Sequence, residues 1–396
     1  MSGYVVLGMQ GAQTWTSAGR GIARYCFGHA NALARKAPEV IAQVSLVPHM
    51  PLPDGLAPEL AEVEKGPCDR PPASAGRPLV YHVLSPLEGL LGMDQVWPAW
   101  ARADDVGLVV TVYDLIPLVL SERYQTLVHG MRWYRSRLEL LLTADAVLAI
   151  SDATARDLVD RLGLEPERVH RSYIDTQDLF RADSRPAETV VAGLRGTIPG
   201  LKPAFYLYVA AEDTRKNMDN LVRAYRRLPA EERAAHQLVI VGKLAPETVA
   251  KLISEAAQMG VGDRLLLPGP VPDPVLRDLY QSCHVFVFPS FYEGFGLPVL
   301  EAMRCGAVVV ASDASSLVEL VEDPEARFDP GDPEDIARVM LRASRDAAWR
   351  QRQRELGSAR AAMFTWDVVA ERSLAVYREV WARRRRVSLR RRGRRQ

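Results

Sequence analysis

Cysteine is scarce in this chain, with Cys26, Cys68, Cys283 and Cys305 the only four in 396 residues and no CxxC pair among them. That spacing excludes a disulfide-stapled scaffold and a thiolate zinc site, and it leaves buried thiols as the expectation. The seven histidines are scattered, so they form no set with metal-ligand spacing. No uninterrupted apolar run reaches the roughly 18 residues that a membrane-spanning helix needs. The amino terminus, MSGYVVLGMQG, has no basic region and enters a strand at once. It does not read as a signal peptide, and a cytoplasmic location is expected. A GxGxxG after a strand and a GxxxxGK[ST] are both missing, which argues against a dinucleotide dehydrogenase and a P-loop enzyme.

What is present is the profile of a globular α/β protein, 48% apolar and 25% charged, long enough for two domains with separate cores. Strands are expected at Tyr4–Met9, Ile41–Val47, Leu79–Leu84, Gly107–Val112 and Ala146–Ile150. A second series follows at Tyr206–Ala211, Gln237–Val241, Arg264–Leu267, His284–Phe288 and Ala307–Ala311. Strands alternating with helices imply parallel sheets. The proline-rich stretch Val47–Arg77 reads as a long loop with at most a short helix. Domains are expected over residues 1–185 and 204–365, with 186–203 as a Pro- and Gly-containing linker, a helix over 366–382, and a tail over 383–396.

Pro289–Asp313, PSFYEGFGLPVLEAMRCGAVVVASD, is the segment richest in chemistry. The apolar run before it is a strand, the glycines of Glu293-Gly294-Phe295-Gly296 permit a tight turn, and a helix is expected to begin near Pro298. Free N–H groups at that helix start favour an anion such as a diphosphate. Glu293 then sits on the turn and Glu301 on the helix. The first is placed to accept hydrogen bonds from sugar hydroxyls and the second from a ribose diol. A second cluster, YLYVAAEDTRKNMDNLVRAY, puts Arg215, Lys216 and Asn217 between a strand and a helix. Arginine offers a bidentate fork and lysine a movable point charge, a pair suited to neutralising a diphosphate. Solvated surface charges are the alternative for each of these residues taken singly.

With these segments the chain resembles the retaining glycosyltransferases of the GT-B type, in the large family 4 group, and among them the bacterial mannosyltransferase-like members. The resemblance covers most of residues 1–382. It rests on QGAQ (Gln10–Gln13), RGIARY (Arg20–Tyr25), YDLIP (Tyr113–Pro117), ADAVLAIS (Ala144–Ser151), the Arg215-Lys216-Asn217 triplet and the two glutamates. It implies two Rossmann-like domains facing a cleft, with a C-terminal helix crossing back to the first domain.

It also implies a nucleotide-sugar donor, a hydroxyl acceptor (a glycan, a lipid-linked sugar or a small metabolite), and transfer of a hexose, mannose favoured, with retention. Arg215 and Lys216 would meet the donor diphosphate and Glu293 the transferred sugar. Glu301 would bind the ribose, and Gly294, Phe295, Gly296, Leu297 and Gly21 would complete the donor site. Arg24 in the Arg20–Arg24 loop, Tyr113 and Asp114 would lie on the acceptor side. No cofactor or metal is expected, in keeping with the lack of an Asp-x-Asp of the kind that holds a metal in the other main glycosyltransferase fold.

The chain departs from many relatives at Ala23 and Ala210-Ala211, where glycine is common, and at Tyr113, where histidine is common. For Tyr113 and Asp114 packing and capping of a strand end is the alternative role. His82 is expected to be a satisfied core residue. A non-catalytic nucleotide-sugar-binding module of the same fold is the competing function. The tail, RRRRVSLRRRGRRQ, carries nine arginines and no acid; with a total of +1, the remainder is near −8. Such a tail is expected to be disordered. It is either a ligand for anionic lipid at the inner face of the membrane or a solubilising end. No nucleic-acid partner is expected, since no recognition motif accompanies the arginines.

Overall fold

A run such as Val106–Val112, VGLVVTV, has no polar alternation and is stable only as a strand covered on both faces, the condition of a parallel sheet. The computed structural model describes residues 3–14, 21–51, 55–60, 63–72, 77–87, 91–124 and 128–393. It divides into two units, one of Met1–Asp175 with Phe364–Gln396 and one of Thr176–Met363.

Among the described residues, the first unit contains seven strands: β1 (Tyr4–Gly8), β2 (Ile41–Leu46), β3 (Glu64–Pro67), β4 (Leu79–Val83), β5 (Val106–Val112), β6 (Ala146–Ala149) and β7 (Val169–Arg171). All are parallel, in the order β3-β2-β1-β4-β5-β6-β7. The second unit has β8 (Phe205–Val209), β9 (Gln237–Val241), β10 (Leu265–Gly269), β11 (Val285–Phe288), β12 (Val309–Ser312) and β13 (Arg327–Phe328), again parallel and in the order β10-β9-β8-β11-β12-β13. In each unit the strand order reverses once, between β1 and β4 and between β8 and β11. Both sheets are therefore doubly wound and Rossmann-like, and among the described residues no helix is long and apolar enough to cross a membrane.

Helix α1 (Gly21–Lys36) and the C-terminal helix (Trp366–Gly393) pack against each other in the first unit. Gly28 permits the approach, since a Cβ there would lie 2.1 Å from Cζ2 of Trp366. Beneath them runs a buried polar network. His82 on β4 bonds through Nδ1 to the Tyr377 hydroxyl (2.6 Å) and through Nε2 to Thr111 (2.9 Å), and His29 Nε2 bonds Ser373 (2.9 Å). His82 is thus the satisfied core histidine that the sequence suggests. The four cysteines are buried thiols, none of them in a disulfide.

Three expectations need correction. The proposed linker 186–203 contains helix α2 (Ala187–Thr197), whose Val190, Val191 and Leu194 are buried; this apolar stripe outweighs the neighbouring Pro and Gly. The stretch Val47–Arg77 holds the edge strand β3, which needs only β2 as a partner and carries no apolar alternation to betray it. The C-terminal helix does not end at Ala382 but continues to Gly393. Arginine is a good helix former, and Arg384 is neutralised by Asp145, with Nη2 2.7 Å and Nε 3.0 Å from Oδ2. Residues 394–396 of the expected tail lie outside the described set.

Burial disfavours the charged imidazolium, pushing His29 down to about 3 and His82, which also faces His29, well below the ordinary 6.5. The unfolded chain then binds protons that the folded chain refuses, so stability is complete above pH 6.5 and is lost as the pH falls below it. Each histidine contributes about 1.4 kcal/mol per pH unit in that window. Denaturant unfolding at pH 7.5 and 5.5 is expected to show a loss of at least about 2 kcal/mol on acidification, and equal stabilities would refute the neutral pair.

Candidate functional site

Strands β8 and β11 are neighbours, with Tyr206 opposite Val285 and Leu207 opposite Phe286, so the segments leaving them emerge side by side at the carboxyl edge. This reversal of strand order is where an open α/β sheet forms a ligand crevice. The segment after β8 carries Arg215 and Lys216; the one after β11 carries Glu293. Backbone and side-chain bonds stitch the two together. The Phe291 N–H donates to Arg215 O (2.8 Å), and the Asn217 amide donates to Pro289 O (2.9 Å) and Pro330 O (2.7 Å). Asn217 adopts φ +60°, the left-handed region that asparagine tolerates, between the short turn Thr214–Lys216 and helix α3 (Met218–Arg227).

The structure brings Arg215, Lys216 and Glu293 into one ion cluster, with Lys216 and Glu293 buried and Arg215 partly so. Lys216 Nζ lies 2.6 Å from Oε1 of Glu293, and Arg215 Nη1 lies 2.7 Å from Oε2. Glu293 is 7% exposed and Lys216 9%. Burial by itself would raise the Glu293 pKa, but the charges of Lys216 and Arg215, with the hydrogen bond from Lys216, prevail and hold it below the ordinary value. Asp213 orients the guanidinium, accepting from the Arg215 N–H at Oδ1 (2.9 Å) and from Nε at Oδ2 (3.1 Å). Lys216 Nζ also lies 5.2 Å from the centre of the Phe288 ring.

After Glu293 the chain turns into helix α5 (Leu297–Arg304). Of the two glycines, Gly296 carries the turn, at φ +100°, and a Cβ there would come within 2.7 Å of Leu317. Gly294, Phe295 and Leu297 line this turn and helix start, with Phe295 buried. Glu301, 5% exposed, has partners of its own: Oε1 accepts from Thr176 (3.2 Å) and Oε2 from the hydroxyl of Tyr280 (3.0 Å) on helix α4 (Asp273–Ser282). Burial, then the Glu301 charge, pushes the Tyr280 phenol well above its usual value and keeps it a donor.

The remaining expected site residues lie in the first unit. Gly21 and Arg24 are not in a loop, since helix α1 begins at Gly21; the buried positions Ala23, Tyr25 and Cys26 continue its apolar face into that first turn. Arg20 lies outside the described residues. Tyr113 donates to Leu84 O (2.6 Å), and Asp114 accepts from the Ile116 N–H (3.0 Å), bonds of the packing and capping kind.

Sequence reasoning passed over Asp213, Thr176, Tyr280 and two serines. Ser315 Oγ accepts from the Glu293 N–H (2.9 Å) and Ser316 Oγ donates to Glu293 O (2.9 Å). Asp213 had a signal, a capping aspartate two residues before Arg215. Ser315 had none: its φ of +48° is a glycine-like conformation on a residue that does not announce it. Among the described residues no group of three His, Cys, Asp or Glu is placed to hold a metal ion.

Comparison with known proteins gives two family matches: the Glycosyltransferase Family 4 model over residues 19–173 and the Glycosyl transferases group 1 model over 197–360. The serotype-specific mannosyltransferase WbdA of Escherichia coli is 35% identical over 292 residues, which is 73% of this chain but only 35% of that protein. The O-antigen chain mannosyltransferase B of Escherichia coli is 31% identical over 242 residues, 61% of this chain and 62% of that one. Among solved structures, sucrose-phosphate synthase from Thermosynechococcus elongatus superposes with TM-score 0.70 at 22% identity, covering 96% of this chain and all (100%) of that one. HepE of Anabaena, solved with UDP and glucose, gives TM-score 0.69 at 17% identity over 96% and 100% of the two chains. These likenesses place the fold in the two-Rossmann GT-B class.

Removing one partner of a buried ion pair leaves the other charge exposed to a desolvation cost. Lys216→Met is expected to destabilise the protein by about 2 to 3 kcal/mol, less than a full orphaning because Arg215 remains. Adding Glu293→Gln should recover part of that loss in denaturant unfolding; a double variant less stable than Lys216→Met would contradict the pairing.

Proposed function

This chain belongs to the family 4, group 1 glycosyltransferases, and from that membership we propose that it moves a hexosyl residue, mannose favoured, from a nucleoside diphosphate sugar to an acceptor hydroxyl. The transfer is proposed to retain the anomeric configuration and to need no metal. The observation that carries the reading is the ion cluster of Arg215, Lys216 and Glu293 at the β8–β11 reversal. Mannose is favoured because the relatives named above are mannosyltransferases.

The chemistry proposed for the site is a front-side displacement. The bond from the anomeric carbon to the diphosphate oxygen breaks, the acceptor oxygen bonds to that carbon on the same face, and its proton passes to the departing diphosphate. No protein nucleophile is needed, so the task of the protein is to position the reactants and to neutralise charge growing on the diphosphate. Arg215 and Lys216 supply two positive charges, and the N-terminus of α5 adds the positive end of its dipole. Glu293 is the acceptor for sugar hydroxyls. Glu301, steadied by Thr176 and Tyr280, is the acceptor for the ribose diol.

A thermal-shift panel of GDP-, UDP-, dTDP- and ADP-sugars identifies the donor, because a ligand of the folded state raises its stability by mass action. One nucleotide is expected to raise the melting temperature, and Lys216→Ala to slow consumption of that donor by about 10²-fold or more. No shift with any donor would favour a non-catalytic module, and unchanged turnover in a folded Lys216→Ala would remove Lys216 from the proposed machinery.

A further inference from the structure

The two cations assigned to the donor diphosphate are already holding an anion. Glu293 occupies both, at 2.6 Å from Lys216 and 2.7 Å from Arg215, and Asp213 takes a further bond from Arg215 at 3.1 Å. Two cations against two carboxylates make a cluster that is formally neutral. A diphosphate diester is doubly negative. Seating it beside an intact Glu293 pair would crowd like charges where water screens them poorly.

We propose that Glu293 is a resident anion of the diphosphate subsite: an entering diphosphate displaces its carboxylate from Lys216 and Arg215, and the released carboxylate becomes the acceptor for the donor sugar's hydroxyls. This rests on the donor reading above and adds an order of events to it. The sugar meets its carboxylate only once the diphosphate is in place.

The surroundings suit an exchange of this kind. The Arg215 guanidinium is held by bonds that do not involve Glu293, to Asp213 and to Tyr292 O (2.8 Å), and the Lys216 main chain is pinned by the Tyr208 hydroxyl, which donates to its carbonyl at 2.7 Å, with Nζ 5.2 Å from the centre of the Phe288 ring. The Glu293 backbone is pinned on both sides by Ser315 and Ser316. Ser315 accepts the strain of φ +48° to do so. With its main chain held in place, the side chain of Glu293 can leave the cations by rotation about its own χ angles.

The experiment is calorimetric titration of inorganic pyrophosphate, and separately of GDP, UDP, dTDP and ADP, into the full-length wild type and Glu293→Gln. Removing the resident charge is expected to tighten pyrophosphate binding by about tenfold or more, while donor turnover falls. A folded Glu293→Gln that binds pyrophosphate no better than wild type overturns the exchange. If wild type nonetheless binds a nucleoside diphosphate, the donor reading survives that result; if neither protein binds any of the four, the donor reading falls and the exchange with it. Should Glu293→Gln fail to fold, crystals of the wild type with pyrophosphate decide the matter. Separation of Lys216 Nζ and Glu293 Oε1 beyond about 4 Å, the limit of an ion pair, supports the exchange, and retention of the 2.6 Å contact overturns it.

Discussion

A carboxylate can stay ionised in a nearly dry site only if positive charge and donors stand in for the water it has lost. Glu293 meets that condition through Lys216 and Arg215, and much of the second unit's rim is arranged to supply it. The two cations must lie on the strand exit next to the one that carries the glutamate, which requires β8 and β11 to be neighbours although β9 and β10 intervene in sequence. Asp213 then aims the guanidinium, Asn217 ties one exit loop to the other, and Ser315 and Ser316 fix the turn. The proposed ligand chemistry draws on the same arrangement, since groups that stabilise one carboxylate also suit a diphosphate.

The first unit solves its own problem of buried polarity by the opposite route. His29 and His82 are kept neutral, His82 bonded at both ring nitrogens through Tyr377 and Thr111 and His29 at Nε2 through Ser373, so no countercharge is required. That network fastens the C-terminal helix across α1 and the strands β4 and β5. Neutral hydrogen bonding joins the helix to the sheet there, whereas in the second unit a carboxylate is held by the charges of two cations.

Much of this was legible in the sequence where one local pattern decided the outcome. Unbroken apolar runs such as Val285–Phe288 mark parallel strands, and the glycine after Phe295 marks a turn into a helix. The residue types needed for a phosphate and sugar site were likewise visible. Their mutual pairing was not, because Lys216 and Glu293 are 77 residues apart and meet only through the strand order. Helix α2 was hidden behind Pro and Gly, β3 is an edge strand without alternation, and the two-residue β13 is too short to show a period. The left-handed Ser315 has no sequence signature at all. Arg384 turned an apparent tail into helix by finding Asp145, a partner 239 residues away.

The central claim is that Lys216 and Glu293 serve donor turnover as one unit. The direct test is a double-mutant cycle in kcat/KM for donor consumption, using Lys216→Ala, Glu293→Ala and the combined variant. Acting as a unit, they should lose in combination little more than either loses alone, a coupling of about 2 kcal/mol or more. Losses that add to within about 0.5 kcal/mol would show two independent residues and contradict the account.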